Sequence, residues 1–180
     1  MSTQNDSVDS TRPCLFADMG DAQVQRRLGW ICAKGQGVPG DDAQAARWFR
    51  KAAEQGDAKA QFNLGVMYED GRGVDKDSAE AGKWYREAAD RGHCGAQFTL
   101  GLRYYYGQGV TEDKKTATKW CRKAAKQKSG DGQYAAGWCH EEGVGVPKDL
   151  SKALSFYKLA AAGGNEKALA AIARLKAERK

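Results

Sequence analysis

The stretch Ala60-Gln61-Phe62-Asn63-Leu64-Gly65-Val66-Met67-Tyr68, followed by Gly71-Arg72-Gly73-Val74 and Ala81-Gly82-Lys83-Trp84-Tyr85-Arg86-Glu87-Ala88-Ala89, decides the fold. Its pieces return at a spacing of 36 residues throughout the chain. Leu64-Gly65 is matched by Leu28-Gly29, Leu100-Gly101 and Ala136-Gly137. Gly71/Gly73 is matched by Gly35/Gly37, Gly107/Gly109 and Gly143/Gly145. Trp84 is matched by Trp48, Trp120 and Phe156, each with a pair of alanines starting four residues later. A constant period of this length belongs to stacked helical repeats, in which each unit buries its apolar face only against its neighbours.

Within one unit the helix boundaries are readable. Asp57 precedes the first apolar-periodic stretch, and Asp21, His93, Ser129 and Asn165 stand at the same place. Asp, Ser and Asn side chains accept a hydrogen bond from an unsatisfied N–H at a helix start. Asp41, Asp77, Asp113 and Asp149 recur as a second set of caps after the glycine turn. The unit is therefore a first helix, a Gly-rich turn, a second helix and a tight turn. Each helix is about 12–15 residues, close to the usual mean. A glycine inside a helix costs roughly 0.5–1 kcal/mol relative to alanine. Its recurrence at 29, 65, 101 and 137 predicts close approach of the second helix, with Trp84 and Tyr85 supplying core bulk in the second repeat.

The fold expected is all-α: a right-handed α-solenoid of antiparallel helix pairs, with four 36-residue repeats and half-repeat ends. The layout is a disordered tail over 1–10 and a single domain over 11–180. That domain comprises a half repeat at 11–20, repeats at 21–56, 57–92, 93–128 and 129–164, and a terminal helix at 165–180.

These residues resemble the Sel-one-like repeat family (SLR), a relative of the tetratricopeptide repeats. The shared pattern is Ala-Gln-x-x-Leu-Gly-x-x-Tyr, Gly-x-Gly-Val and Ala-x-x-Trp-Tyr-x-x-Ala-Ala, covering residues 12–180. Departures are Ala136 for Leu, Cys32 and His140 for Tyr, Cys121 for the second-helix Tyr, and Lys128 for Gly. The resemblance implies a non-enzymatic adaptor, in many cases bacterial, that binds a protein or peptide. Some members of the family are secreted, with a Cys pair in every repeat; this chain lacks that pattern.

By the same analogy the first helices line a concave face. The inward register then gives Arg26, Trp30, Ala33 and Lys34; Phe62, Val66, Glu69 and Asp70; Phe98, Leu102, Tyr105 and Tyr106; and Tyr134, Trp138, Glu141 and Glu142. Trp30, Tyr105, Tyr106 and Trp138 do not recur, so the repeat itself does not demand them. Two readings stand at this point: packing between neighbouring first helices, or anchors of a peptide groove, since aromatics dominate interface energetics. The groove reading takes Arg26, Trp30, Phe62, Val66, Phe98, Leu102, Tyr105, Tyr106, Tyr134 and Trp138 as its partner-binding residues.

Charge is uneven. Of the formal net charge of +6, Lys and Arg exceed Asp and Glu by five over residues 96–131 alone. Lys115, Lys119, Arg122 and Lys126 lie along one stripe of a helix. A solvated outer face, distinct from the groove, is the plain reading; an acidic protein, a nucleic acid or an anionic lipid are the alternatives.

Little catalytic chemistry is present. Ser155-Phe156-Tyr157-Lys158 matches the Ser-x-x-Lys of penicillin-recognising enzymes, but repeat register alone accounts for Phe156 and Lys158. That match, with the cysteine-rich relatives, keeps a penicillin-interacting enzyme as the alternative. His93-Cys94 and Cys139-His140 lack metal-ligand spacing, and no phosphate-loop Lys-Ser/Thr follows the glycine turns. No catalytic residue, metal or cofactor is expected. Five cysteines at irregular spacing read as free thiols in a reducing cytosol, with Cys121 a buried thiol. No apolar run reaches membrane-spanning length, and the first ten residues do not read as a secretory signal. A cytoplasmic monomer is expected.

Overall fold

The computed structural model describes residues 20–37 and 39–177. The expected tail at 1–10, nearly all of the half repeat at 11–20 and the last three residues lie outside the described residues. Nine helices are described: α1 (Ala22–Lys34), α2 (Asp42–Glu54), α3 (Ala58–Asp70), α4 (Ser78–Asp90), α5 (Cys94–Tyr106), α6 (Lys114–Ala125), α7 (Gly130–Glu142), α8 (Leu150–Ala162) and α9 (Glu166–Ala177). No strand occurs among the described residues. The fold is an all-α helical-repeat solenoid in class. Odd-numbered helices are the first helices of successive repeats, and even-numbered ones the second.

The chain divides into two compact units, one ending at Lys76 and the other beginning at Asp77. In the first, α2 packs against both α1 and α3. In the second, each helix from α4 to α9 packs against the next, and α5 also touches α7, so consecutive first helices lie side by side.

Both sets of caps form. The Asp41 carboxylate accepts from the Gln44 N–H at 2.9 Å, and that of Asp149 from the Lys152 N–H at 2.9 Å. The Thr116 hydroxyl and backbone N–H both donate to Asp113 and hold its carboxyl below the usual range. His93, the residue outside the usual capping set, also caps: its Nδ1 accepts from the Ala96 N–H at 3.1 Å. Each turn then closes back on the preceding first helix, as where the Asp113 N–H reaches the Tyr104 carbonyl at 2.9 Å. At Gly73, with φ of +66°, a side chain would run into the Asp42 carbonyl oxygen. The turn therefore sits directly on the start of α2.

The recurring Ala-Gln has a structural cause. Gln61 and Gln97 are buried, and their Nε2 groups donate to the carbonyls of Ala53 at 3.1 Å and Ala89 at 3.0 Å. These carbonyls, at the ends of the preceding second helices, also accept the turn N–H groups of Gly56 at 2.9 Å and Gly92 at 3.0 Å, so each glutamine adds a further donor from the next repeat. Gln127 Nε2 in turn donates to Gln97 Oε1 at 2.9 Å.

The close approach predicted at the first-helix glycine is present. A Cβ at Gly137 would lie 2.6 Å from the Tyr157 ring, and one at Gly29 2.8 Å from the Phe49 ring. The bulk facing these glycines comes from the residue after the Trp register. Phe49, Tyr85, Cys121 and Tyr157 are buried in all four repeats, whereas the Trp register is buried at Trp48 and Trp120 but only half-buried at Trp84 and Phe156. This corrects the placement of Trp84 at the centre of the core.

Tyr85→Ala is expected to cost about 3–5 kcal/mol, as for other large buried aromatics, and Trp84→Ala less than that. Gly137→Ala should cost about 1–3 kcal/mol through overpacking against Tyr157. Denaturant unfolding of the three variants measures both; a larger loss for Trp84→Ala than for Tyr85→Ala would contradict the register described.

Candidate functional site

In the first unit the inward register of α1 and α3 holds one exposed aromatic. Trp30 is 46% exposed and lines a shallow depression with Arg26, Arg27, Ile31 and Gln36. Arg26 is not free to act as a ligand contact, because its Nε donates to the Asp57 carboxylate at 3.0 Å. Phe62 and Val66 are half-buried.

In the second unit the aromatics of α5 and α7 form a connected string. Phe98 meets Tyr134 edge-on at 5.5 Å and Trp138 at 5.6 Å between centroids. Trp138 meets Tyr105 at 5.2 Å, and Tyr105 meets Tyr106 at 5.0 Å, again edge-on. Edge-to-face pairs of this kind add about 0.5–1.5 kcal/mol each beyond area burial. The string runs from core to solvent. Phe98 and Trp138 are each only 8% exposed and belong to one buried cluster with Cys121, Cys139 and Val144, against which Leu102, Tyr105 and Tyr134 pack. Tyr106 is 54% exposed. Phe98 and Trp138 are therefore packing residues, which corrects their assignment as groove anchors. The reason is mutual: the extra rings on α5 and α7 fill the space between those two helices and bury one another.

The basic stripe is not a face apart from the aromatics. Lys115, Lys119, Arg122 and Lys126 are all exposed on α6. Lys115 and Lys119, however, share an open cleft of about 640 Å³ with Tyr105, Lys114, Glu142 and Val144. The Lys114 ammonium lies 5.8 Å from the Tyr105 ring centre. The short turn after α5 brings the end of that helix against the start of α6, so Tyr105 and these lysines meet. Arg122 and Lys126 border a second depression, further along α6.

Two buried polar side chains were not singled out as structural by sequence reasoning. Glu141 is buried; it accepts from the Tyr157 hydroxyl at 2.6 Å and from the Arg174 guanidinium. Burial first, and then the hydrogen bond to Glu141, push the Tyr157 phenol well above its ordinary value. Arg103 is buried as well, donating to the Ser78 carbonyl at 2.7 Å and hydroxyl at 3.0 Å beneath the Tyr85 ring. The repeat comparison carried a signal for Arg103, since it stands where Ile31, Met67 and Cys139 are found.

The residues weighed for catalysis or metal binding have local employment. Ser155 donates to the Ser151 carbonyl at 3.0 Å, and both it and Lys158 are exposed on α8. His93 caps α5, while His140 stacks on Phe156. Among the described residues no three His, Cys, Asp or Glu side chains gather as a metal site. Cys94, Cys121 and Cys139 are thiols outside any disulfide; Cys14 lies outside the described residues. The Cys121 thiol, hydrogen-bonded to Cys139 and buried, is pushed up; Cys139 is held down by the same bond and by Arg122. No described helix is long and apolar enough to cross a membrane.

Comparison with known proteins agrees with this architecture. The Sel1 repeat pattern matches residues 22–57, 58–93, 95–129 and 130–165. A protective antigen of uropathogenic Escherichia coli strains displaying an SLR fold is 40% identical, with a TM-score of 0.73 over 87% of this chain and 34% of that one. A Sel1 repeat protein from Oxalobacter formigenes is 34% identical, with a TM-score of 0.72 over 87% of this chain and 64% of that one. This chain thus spans less than two thirds of either. Cysteine rich protein B of Helicobacter pylori, at 22% identity, shares the fold, with a TM-score of 0.53 over 64% of this chain and 86% of that one. Among curated proteins no match is found.

The Tyr157–Glu141 contact sets an alkaline limit to stability. A phenol whose pKa is raised on folding keeps its proton where the unfolded chain, with tyrosine near pH ~10, begins to lose it. Its contribution is present below that pH and lost above it. Unfolding measured from neutral pH upward should show stability falling beyond about pH 10. Tyr157→Phe should lower stability at neutral pH by roughly 1.5–3 kcal/mol, the usual worth of a hydrogen bond to a charged group. It should also shallow the alkaline decline; an unchanged decline would remove Tyr157 as its source.

Proposed function

The chain belongs to the Sel1 repeat family, and from that premise we propose that it is a non-enzymatic adaptor. It takes a peptide segment or protein face on its first-helix surfaces, with Trp30 as the anchor in the first unit and Tyr105–Tyr106 in the second. Sel1 repeats are in general protein-interaction modules built on a non-catalytic helical scaffold. The observation that carries the finer reading is the exposure of Trp30 and Tyr106, 46% and 54%, at places where the repeat needs no aromatic. Val66, Leu102 and Trp138 occupy the register of Trp30, and Lys34, Asp70 and Glu142 that of Tyr106. Stacking of helices does not account for Trp30; Tyr106 shares a hydrogen bond with Trp138 on the next first helix, yet more than half of it stays exposed. Tyr106 is also held in place from behind by Tyr105, so little side-chain freedom is lost when a partner covers it. Phe62 and Val66 are half-buried first-helix residues of the first unit, and Leu102 and Tyr134 of the second. The reading includes action as a monomer in the cytoplasm, a compartment consistent with the thiols of Cys94, Cys121 and Cys139.

Affinity capture from a bacterial lysate, followed by purification of the captured protein, supplies a pair for calorimetry. Trp30→Ala and Tyr106→Ala should each weaken binding by about tenfold or more, the loss of 1–2 kcal/mol typical of an aromatic anchor. The melting temperature should stay near that of the parent. Unchanged affinity in both variants would place the partner elsewhere on the molecule.

A further inference from the structure

Two arginines of the second helices are held by rings of the next repeat. Arg50 donates to the Tyr68 hydroxyl, and its guanidinium lies 5.6 Å from the centre of that ring. Arg86 donates to the Tyr104 hydroxyl and sits 5.5 Å from the Tyr104 ring and 5.4 Å from Trp120. Both arginines are half-buried.

Arg122 occupies the same register, but its cage is dismantled. The tyrosine is replaced by His140 and the tryptophan by Phe156. An imidazole lacks the reach of a phenol. The two replacement rings stack on each other instead, with centroids 5.6 Å apart and planes within 10°. The Arg122 side chain is exposed, and among the described residues its guanidinium has no hydrogen-bond, ion-pair or ring partner, acting on the Cys139 thiol through its charge alone. The buried Nδ1 of His140 also has no hydrogen-bond partner. Where the cage would be there is a cavity of about 200 Å³, with Arg122 and Lys126 at its rim and Ala136, Val146, His140 and Phe156 among its walls.

We propose that this cavity is a binding site for a peptide carboxylate carried next to an apolar side chain. The guanidinium offers paired N–H donors matched to a carboxylate. Lys126 adds a second positive charge, and the Val146, Ala136 and Phe156 walls accept the apolar neighbour. The site rests on the adaptor reading only in taking a peptide as its ligand, and it lies apart from the Trp30 and Tyr106 surfaces.

The test uses the full chain and four probes: acetyl-Phe-Glu-Phe-amide, the same peptide with Gln for Glu, sodium acetate and inorganic phosphate. Binding is followed by amide chemical shifts and calorimetry. The Glu peptide should shift the signals of residues 122–126 and 140, and should bind at least about tenfold more tightly than the Gln peptide, the scale of a lost charge-assisted pair. Arg122→Gln, at an exposed position, should abolish the difference. His140→Tyr restores the residue found at 68 and 104. It should return Arg122 to a ring, raise the melting temperature and weaken the Glu peptide about tenfold or more. Trp30→Ala and Tyr106→Ala should bind the probe as the parent does, which separates this site from failure of the first-helix surface. The proposal is overturned if the Glu and Gln peptides bind alike, if His140→Tyr binds undiminished, or if phosphate binds as tightly as the Glu peptide.

Discussion

The approach of the first-helix glycine to the second helix is the constraint on which the rest of the repeat depends. With no Cβ at Gly29 or Gly137, the rings of Phe49 and Tyr157 come into the space that a side chain there would take. The alanines at 45, 52, 153 and 160 are fully buried in the same helix pairs. Small residues let the pair close, and one large ring per pair fills the remaining volume, as a dense interior requires. In the third repeat the same glycine, Gly101, faces the Cys121 sulfur and backbone. The smaller Cys121 leaves room beside it, which Phe98 fills from the preceding helix and Trp138 and Cys139 from the following one. A change of one core residue is thus taken up by its neighbours rather than left as a void.

Stacking of one repeat on the next uses a different device. Gln61 and Gln97 reach back to carbonyls at the end of the preceding second helix. Each of those carbonyls accepts one turn N–H, from Gly56 or Gly92, and has a second lone pair open. A glutamine in this place fills that lone pair with a neutral, fixed hydrogen bond and no charge to desolvate. That explains why a polar residue holds a buried, recurring position and why it is no evidence of a binding site.

What could be read in the sequence follows from this division. Caps, glycine turns and paired alanines depend on backbone geometry within one repeat, so their spacing is visible directly, and Asp41, Asp77, Asp113 and Asp149 cap as their positions imply. Contacts between repeats are set by side chains far apart in sequence. Trp138 looked free because the middle repeats carry Val66 and Leu102 in its register; it is buried because Phe98 and Tyr105 face it. The lysines of α6 looked like a separate face because helix periodicity says nothing of what the preceding turn brings beside them. Among these aromatics Trp30 and Tyr106 keep the exposure that the register suggested.

Departures from the repeat therefore fall into two physical kinds. Arg103 replaces an apolar residue, yet Ser78 and the Tyr85 ring take its guanidinium inside the fold, so the departure is absorbed. Arg122 keeps its residue while its surroundings change. Giving up a cation–π contact forgoes roughly 0.5–2 kcal/mol, and the lost tyrosine hydroxyl forgoes a hydrogen bond as well. Nothing among the described residues returns that stabilisation to Arg122. An arginine held by two rings is spent on stability; the same arginine released beside an apolar cavity has its donors open to a carboxylate. Binding energy at such a site comes from an interaction the fold has left unmade, so closing the cage would raise stability and lower affinity together.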